Sequence, residues 1–466
     1  MDAYRTRLID PFLDELMQAE PAVMLVGPRA VGKTTTAIRR ATSVVRLDRA
    51  AEAGAFLADP DAALRTLAEP VLLDEWQGVP GVLGAVKRAI DEDPRPGRFV
   101  ITGSVRGGLS GETWPGTGRV VRVSLDGMTI RERLDRTDGP AFFDRLIDGS
   151  ALTVPADPPD LRGYVELALE SGFPTAIDRS PLRREDWLES HVEQLVTRDA
   201  TAIGRLRDPS KLRRFLSSLA ANSAGVVSDQ TLLEASGIDR KTAQGYERLL
   251  EDLGIVASLP AWSSNRLQRL VHSPKRYVID AAIVATVLRA DVDTIMRDAD
   301  LLGRIIDTFV LSQLRAERAV SDCRPTFHHM RDVQGRHEVD LVVEIRGQRV
   351  VACEIKANAS PSASDARHLA WLRDKLDDRF VMGVVLHTGP SVFSLGDRVV
   401  AVPIAALWGV TADQGRGPQL SRPRMSAALR PPWLSSPESM TSLKRAAFLA
   451  FMAMTFSSMV SRATSR

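Results

Sequence analysis

The sequence predicts an α/β protein of several domains, with an N-terminal αβα sandwich, a helical middle region containing a winged-helix-like unit, and a C-terminal α/β domain. Three observations lead to this prediction. A glycine-containing loop follows an apolar run at residues 22–26, a helix-turn-helix pattern occupies residues 209–253, and two apolar runs between residues 338 and 356 have the pattern of a hairpin.

Length and composition are typical of a soluble multidomain protein. The 466 residues exceed the roughly 100 to 200 residues of one domain, and 44% hydrophobic with 26% charged residues is usual for globular chains. No early segment has the basic start and apolar run of a signal peptide, so we expect a cytoplasmic protein without a membrane span. The two cysteines, Cys323 and Cys353, are too far apart in sequence to indicate a disulfide framework or a zinc site.

The C-terminal tail differs from the rest of the chain in charge. From residue 414 onward there are eight basic residues and one acidic residue, so this tail carries +7 and the remainder −5 of the net charge of +2. Such a segment predicts disorder or a weak contact with an anionic surface. Residues 446–460 are apolar but shorter than the roughly 20 residues that span a bilayer, which favours a short amphipathic helix.

The first motif is a P-loop that directly follows a predicted buried strand. Residues 22–26 are all apolar, as in a parallel sheet covered on both faces. The loop glycines let backbone N–H groups surround phosphates, Lys33 reaches the terminal phosphates, and the Thr34 hydroxyl binds Mg²⁺. Residues 34–40 then predict a helix whose N-terminal dipole favours the phosphates. The predicted nucleotide-binding residues are Gly27, Pro28, Arg29, Ala30, Val31, Gly32, Lys33, Thr34 and Thr35.

Two later apolar runs are predicted to end in groups that serve catalysis. Residues 71–73 lead into Asp74 and Glu75, so Asp74 would hold Mg²⁺ and Glu75 would orient the attacking water. Residues 98–101 lead into Thr102, which could sense the terminal phosphate or only form the turn at the end of the strand. The carboxyl ends of parallel strands meet at one edge, where ligands of such sheets bind.

An arginine completes the predicted catalytic set. Arg119 lies beyond the third strand, and it could reach the terminal phosphate from the same or a neighbouring subunit. A surface cation is the plainer interpretation of an isolated arginine. Arg29, inside the loop, is the competing candidate for the same role.

The middle region contains a possible nucleic-acid surface. Amphipathic helices are predicted between residues 161 and 208, followed by helices at 212–221, 230–236 and 241–253. The last helix would point four basic or polar residues outward: Arg240, Lys241, Gln244 and Arg248. Three acids share that helix, which weakens the positive footprint that phosphates require, namely Glu247, Glu251 and Asp252. DNA contact and a structural or protein-docking role therefore both stay open.

The C-terminal hairpin places acidic residues among apolar ones. A two-residue turn would put Asp340 and Glu354 on opposite faces, whereas a three-residue loop pairs them and brings Lys356 beside Glu338. The hydrophobic pattern favours the three-residue loop. The acids could then bind a divalent cation, with Lys356 positioning water for phosphodiester attack. A hairpin with a salt-bridged outer face is the alternative.

The ordered series of motifs resembles bacterial and archaeal AAA-type ATPases fused to a C-terminal domain of unknown function that is similar to restriction-endonuclease-like folds. The resemblance covers about residues 1–410. Besides the motifs above, it rests on the segments 172–174, 198–199, 273–275 and 303–310 and on Asp280. It implies ATP and Mg²⁺ at the P-loop and Asp74, hydrolysis by Glu75, and a nuclease-like core at Asp340, Glu354 and Lys356. Asp307, a further candidate for that core, stands where the family usually has Glu.

These observations predict five segments and three competing functions. The segments are an ATP-binding domain at 1–135, a helical linker at 136–208, a helix-turn-helix domain at 209–290, a nuclease-like domain at 291–412 and the tail at 413–466. The first hypothesis is an ATPase that regulates a DNA-associated or nuclease-like module, with ATP, DNA and a second copy of the chain as partners. The alternatives are a nonenzymatic ATP-dependent switch with a degenerate nuclease core, and a sequence-specific DNA binder.

Overall fold

The computed structural model describes residues 4–103, 118–150, 152–199, 208–263, 273–331 and 336–409. The chain divides into two units, Met1–Leu420 and Ser421–Arg466, and every described residue belongs to the first. The predicted basic tail and its apolar segment lie outside the described residues.

The N-terminal region is built on a five-stranded parallel sheet. Its strands are β1 (Ala22–Val26), β2 (Ser43–Arg46), β3 (Val71–Asp74), β4 (Phe99–Gly103) and β5 (Val121–Ser124), in the order β2-β3-β4-β1-β5. All residues of β1, β3 and β4 are buried, which explains the continuous apolar runs in the sequence. The three strands predicted from those runs are therefore confirmed, and their carboxyl ends meet at one edge.

Seven helices accompany this sheet in the described residues. They are α1 (Asp10–Ala19), α2 (Lys33–Ile38), α3 (Ala50–Ala58), α4 (Pro60–Arg65), α5 (Val82–Glu92), α6 (Ile130–Arg133) and α7 (Phe142–Asp148). The predicted helix after the loop is α2, which begins directly behind Gly32. Gly32 has φ +98°, a left-handed conformation that glycine adopts without strain.

The middle region is helical with one small β-ribbon. Its helices are α8 (Leu161–Leu169), α9 (Pro174–Ile177), α10 (Pro181–Gln194), α11 (Pro209–Ala221), α12 (Asp229–Ser236), α13 (Arg240–Asp252), α14 (Ala281–Leu288) and α15 (Val292–Arg297). The ribbon pairs β6 (Val256–Leu259) with β7 (Lys275–Val278) in antiparallel fashion. Ser228 and Asp239 cap α12 and α13 by accepting backbone N–H bonds, which explains why these helices begin there. The three helices predicted between residues 212 and 253 are present.

The C-terminal region contains a mixed six-stranded sheet. Its strands are β8 (Thr326–Arg331), β9 (Glu338–Ile345), β10 (Arg349–Lys356), β11 (Phe380–His387), β12 (Phe393–Gly396) and β13 (Val399–Pro403), in the order β12-β13-β11-β10-β9-β8. Helices α16 (Ala299–Glu317) and α17 (Arg367–Leu376) accompany it. The apolar helix predicted at residues 305–314 is the centre of the longer α16.

The hairpin of β9 and β10 has the register that the hydrophobic pattern favoured. Ile345 pairs with Arg349 and Leu341 pairs with Cys353, so the connection is a three-residue loop. One further step in this register brings Asp340 opposite Glu354, and the Ile355 amide donates a hydrogen bond to the Asp340 carboxylate at 3.0 Å. The predicted contact between Glu338 and Lys356 is wrong, because Lys356 pairs with Glu354 and Glu338 lies 3.7 Å from Arg331.

The three regions share one hydrophobic core. Leu25 of β1, Phe215 of α11 and Val310 of α16 all belong to the same buried cluster. A buried ion pair, with 2.7 Å between Arg131 Nη1 and Glu317 Oε1, joins α6 to α16. Neither cysteine forms a disulfide. Within the described residues, no helix has the length and apolar character needed to cross a bilayer.

Candidate nucleotide-binding site

The P-loop encloses a lysine at the carboxyl edge of the parallel sheet. Lys33 is 5% exposed, and its ammonium donates to the backbone carbonyls of Pro28 at 2.8 Å and Gly27 at 3.1 Å. The loop thus holds the cation at its own centre. Burial of the ammonium, partly offset by Glu75, lowers the pKa of Lys33 to about 8. The side chain is still mainly charged at neutral pH.

Two hydroxyl groups meet on the carboxylate that ends β3. Thr34 donates to Asp74 Oδ1 at 2.7 Å, and Thr102 donates to the same oxygen. Asp74 is 6% exposed, and Thr102 is completely buried. Hydroxyl and carboxylate oxygens are the ligands that Mg²⁺ prefers, so Thr34 and Asp74 fit the predicted metal role.

Thr102 lies near the carboxyl end of β4, beside the acidic pair. The Thr102 hydroxyl donates to the same Asp74 oxygen as Thr34 and accepts a long hydrogen bond of 3.4 Å from the Glu75 amide. Thr102 lies beside Leu25 in the sheet, which explains its burial. These contacts place Thr102 where it can position the acidic pair, and the sensor role stays a prediction.

Glu75 is held in a strained conformation next to Asp74. Its backbone has φ +54° and ψ +54°, a left-handed conformation uncommon for a residue with a side chain and often found at functional sites. Gln77 donates a hydrogen bond from its side-chain amide to the Glu75 carboxylate. Gln77 was missed by sequence analysis, although its position two residues after an acidic pair was visible.

A cavity of about 440 Å³ adjoins the P-loop on the side of α2. Gly32 and Thr35 form the wall next to the phosphate loop, and Tyr4, Met128 and Pro174 contribute apolar or aromatic surface. Its volume is in the usual range for small-molecule sites. Arg7, also in this wall, is buried and donates to the Val31 carbonyl at 2.8 Å and to Glu132 at 2.9 Å. Tyr4 and Arg7 are further residues that sequence analysis missed.

Arg119 lies at the opposite edge of the sheet from the P-loop. It precedes β5, whose first residue, Val121, pairs with Val23 and whose last residue pairs with the end of β1. Its guanidinium donates to Asp91, near the end of α5. The predicted role of Arg119 at the P-loop of its own subunit is therefore wrong, because the whole length of β5 separates this arginine from the P-loop. Only a contribution to a neighbouring subunit stays as a prediction.

The P-loop touches the middle region on its outer side. A Cβ atom on Gly254, directly after α13, would lie 3.1 to 3.3 Å from three atoms of Pro28. Burial of His191 on α10, together with the nearby positive charge of Arg29, lowers the pKa of the imidazole to about 4. His191 stacks on Trp187 with 4.8 Å between ring centroids. The two loop residues that follow Gly27 thus face helices α10 and α13.

The predicted C-terminal candidates lie together, with two residues that the prediction omitted. Lys275 of β7 donates to Asp307 at 2.7 Å and to Asp340 at 3.0 Å. Tyr277 donates to the other oxygen of Asp307 at 3.0 Å. Lys356 donates to Glu354 at 3.1 Å. Within the described residues, no group of three or more His, Cys, Asp or Glu residues is arranged to hold a metal ion.

Burial and neighbouring charges shift the pKa values of this cluster in different directions. Burial raises the pKa of Glu354 well above its usual value, and the Asp340 charge raises it further. Burial also acts on Asp340, but the ammonium groups of Lys275 and Lys356 lower its pKa to about 2. Burial raises the pKa of Asp307 to about 6, against the opposing charge of Lys275. Asp340 is thus the carboxylate that is most firmly ionised.

The four side chains predicted to point outward from α13 are exposed: Arg240, Lys241, Gln244 and Arg248. Glu247 of the same helix is instead half-buried, where it accepts a hydrogen bond from Arg276 of β7. Its charge is therefore partly neutralised inside the protein. The exposed surface of α13 is more basic than the sequence alone suggested.

Family models match three segments of the chain. Residues 19–134 match an AAA domain, residues 161–294 a domain of unknown function (DUF8612), and residues 302–407 another domain of unknown function (DUF4143). Uncharacterized proteins of Mycobacterium bovis and Mycobacterium tuberculosis are each 29% identical over 397 residues, covering 84% of this chain and 82% of their own.

A solved structure, the Walker-type ATPase of Pyrococcus abyssi, covers 60% of this chain and 94% of its own at 14% identity. Its TM-score of 0.38 is too low to support an inference about this protein. The AAA match spans the parallel sheet, the P-loop with Lys33 and Thr34, and the acidic pair at Asp74 and Glu75. Residues 19–134 are therefore similar to an AAA domain of the P-loop ATPase type.

Proposed function

We propose that the chain hydrolyses ATP at the carboxyl edge of its N-terminal sheet, with Glu75 as the residue that orients the attacking water. The observation that carries this proposal is the assembly of Lys33, Thr34, Asp74 and Glu75 within one hydrogen-bonded region. A phosphate-binding cation, a pair of oxygen ligands and a carboxylate next to them are the parts that phosphoryl transfer to water requires.

Each residue has a role that its contacts support. Lys33 neutralises the terminal phosphates once its bonds to the loop carbonyls are exchanged for bonds to ATP. Thr34 and Asp74 hold Mg²⁺, which neutralises charge on the phosphates. Thr102 keeps the Asp74 carboxylate in place, and Gln77 orients Glu75. Thr102 and Gln77 are thus positioning residues.

The base and ribose of ATP occupy the cavity beside α2. This cavity adjoins the loop at Gly32 and Thr35, and its Tyr4, Met128 and Pro174 side chains offer the apolar surface that a nucleobase needs. Arg39 stacks on the Tyr4 ring at 4.3 Å, which holds the ring in place.

The nucleotide acts on the middle region through the loop. Pro28 lies against Gly254, and Arg29 acts on His191, so a change in loop conformation on ATP binding reaches α10 and α13 directly. The exposed basic residues of α13 form the output surface, for which DNA is the proposed partner. The C-terminal nuclease-like region serves binding in this proposal, with cleavage as the less favoured alternative.

ATP turnover tests the catalytic part. Lys33→Ala is expected to weaken ATP binding at least about tenfold and to abolish turnover, because a charge-assisted contact to the phosphates is lost. Lys211→Ala is the matched control, since that lysine is exposed on α11. Calorimetry that finds equal ATP affinity in wild type and Lys33→Ala would contradict the assignment.

The coupling to DNA has a separate test. ATP turnover should change when duplex DNA is added, and DNA affinity should fall steeply with salt. Arg248→Ala should weaken DNA binding without changing turnover in the absence of DNA. If the rate of ATP turnover is the same with and without DNA, and if Arg248→Ala binds DNA as tightly as wild type, DNA is not the partner. The ATPase proposal is unaffected by that result. ATP binding with no turnover at all would favour the nonenzymatic switch.

A further inference from the structure

A buried cluster of charged side chains lies where the middle region meets the C-terminal sheet. Lys275 comes from β7 of the middle region, Asp307 from α16 and Asp340 from β9. The Lys275 side chain is 2% exposed, and its ammonium lies between the two carboxylates at 2.7 and 3.0 Å. Asp307 and Asp340 are 32 and 65 positions away from Lys275 in the sequence, so the three residues come into contact only in the folded chain.

Each carboxylate oxygen of the two aspartates accepts a hydrogen bond from a protein donor. Asp307 accepts from Tyr277 on one oxygen and from Lys275 on the other. Asp340 accepts from Lys275 on one oxygen and from the Ile355 amide on the other. A divalent cation would need these same oxygens as ligands. A cation that bridged Asp307 and Asp340 would have to take the position that the buried ammonium of Lys275 holds.

The formal charges of this cluster also argue against binding of a divalent metal ion. The cluster contains three carboxylates, those of Asp307, Asp340 and Glu354, and two ammonium groups, those of Lys275 and Lys356. With the cations present, little negative charge is left to attract a divalent ion. Without Lys275, two buried aspartates would lie close together with one cation at the edge, which is an arrangement that binds metal ions or loses stability.

We propose that Lys275 is a built-in cation that occupies the position between Asp307 and Asp340 and closes this carboxylate cluster to divalent metal ions. The cluster thereby acts as an ionic junction that holds β7 of the middle region to α16 and β9 of the C-terminal region. The hypothesis of a metal site at Asp340 and Glu354 is the competing interpretation, and the two differ in what removal of Lys275 does.

Manganese binding to the full chain without nucleotide tests this proposal. Free Mn²⁺ is measured by electron paramagnetic resonance, and thermal unfolding is followed with and without MnCl₂. Wild type and Asp340→Asn should bind the same number of ions, because the cluster takes no metal in either. Lys275→Ala should gain one Mn²⁺ site, whose affinity is at least about tenfold higher than that of any Mn²⁺ binding at the cluster in wild type. The Tm of this variant should rise when Mn²⁺ is added.

Two controls separate this effect from others. Lys275→Ala combined with Asp340→Asn should lose the additional ion, because one of its ligands is gone, while Lys211→Ala should behave as wild type. The P-loop is identical in all variants, so any ion that it binds cancels in the comparison.

Two results would overturn the proposal: a wild-type Mn²⁺ site that disappears in Asp340→Asn, or a Lys275→Ala protein that folds but gains no site. Recovery of folded Lys275→Ala only in the presence of Mn²⁺ supports it. If that variant never folds, the comparison of wild type with Asp340→Asn decides, since it requires no change at Lys275.

Discussion

The side chains around Asp74 have different roles at the nucleotide site, because their contacts differ. One carboxylate oxygen accepts from both Thr34 and Thr102, while Glu75 is held from its other side by Gln77. Asp74 is therefore fixed before any ligand binds, and the strained backbone of Glu75 turns the second acid away from the buried strand. The two neighbouring acids can serve different purposes because their surroundings differ.

Glu75→Gln is expected to retain ATP and to lose turnover. The amide keeps the size of the side chain and its contact with Gln77, but it cannot take over the role of the carboxylate in orienting water. A reduction of about a hundredfold or more in kcat with ATP affinity nearly unchanged is the expected result. Glu92→Gln, on the exposed end of α5, is the matched control. Wild-type turnover in Glu75→Gln would exclude Glu75 as the catalytic residue.

The pKa of Lys33 predicts a pH dependence of ATP binding. Burial lowers this pKa to about 8 in the nucleotide-free protein, and phosphate charges should raise it again in the complex. A group whose pKa rises on binding favours binding at low pH, so ATP affinity should fall as the pH increases from 7 to 9. Calorimetry in buffers of different ionisation enthalpy should show proton uptake near pH 8.5. Lys33→Ala should show neither effect.

Among the elements, α13 lies between the P-loop and the β-ribbon of the middle region. Its end contacts Pro28 through Gly254, and its basic side chains face solvent. Its acidic Glu247 is tied to Arg276 of β7. The same helix thus touches the nucleotide loop, the β-ribbon and the proposed DNA surface.

Gly254→Ala is expected to weaken ATP binding and to destabilise the protein. The residue has φ +69°, and a Cβ atom would lie 3.1 to 3.3 Å from Pro28, so the substitution strains the backbone and pushes on the loop. The free energy of unfolding should fall by about 1 kcal/mol or more. Gly245→Ala, inside α13 with no atom within 4 Å of the new Cβ, should instead stabilise by about 0.5 to 1 kcal/mol. Equal ATP affinity in both variants would show that the contact does not couple to the loop.

Sequence patterns predicted the elements better than their contacts. The P-loop, the acidic pair and the hairpin depend on spacing over a few residues, so apolar periodicity and glycine positions were sufficient for them. Arg119 was misplaced because the sequence alone does not show that it lies before β5, at the amino edge of the sheet. Lys275 was not weighed as a site residue. It is the first residue of the four-residue strand Lys-Arg-Tyr-Val, a sequence that does not indicate burial, although a buried lysine must find a carboxylate.

For the whole molecule, Arg119 decides whether the ATPase site is complete in one chain. Its position at the far edge of the sheet excludes a contribution to its own P-loop, and its partner there is Asp91. A neighbouring chain could still receive it.

If Arg119 serves a neighbouring site, specific ATPase activity should rise with protein concentration, because complete sites exist only in an oligomer. Arg119→Ala should then lower kcat with little change in ATP affinity, and mixing it with Lys33→Ala should restore part of the activity. Asp91→Asn is a control that removes the ion pair between Asp91 and Arg119 and keeps the arginine. Specific activity that stays constant from a demonstrated monomer would exclude the role in trans.

The junction between α16 and the N-terminal region provides a built-in reporter of docking. The Ile130 amide donates to the Gln313 side chain at 2.8 Å, and the Phe142 amide donates to Glu317 at 2.6 Å. Both amide protons belong to the ATPase side, yet both acceptors belong to the C-terminal region. Their hydrogen–deuterium exchange rates should therefore respond to any separation of these regions during turnover, without a label or a substitution. Protection at Ile130 and Phe142 that persists through cycles of hydrolysis would indicate that the two regions move as one body.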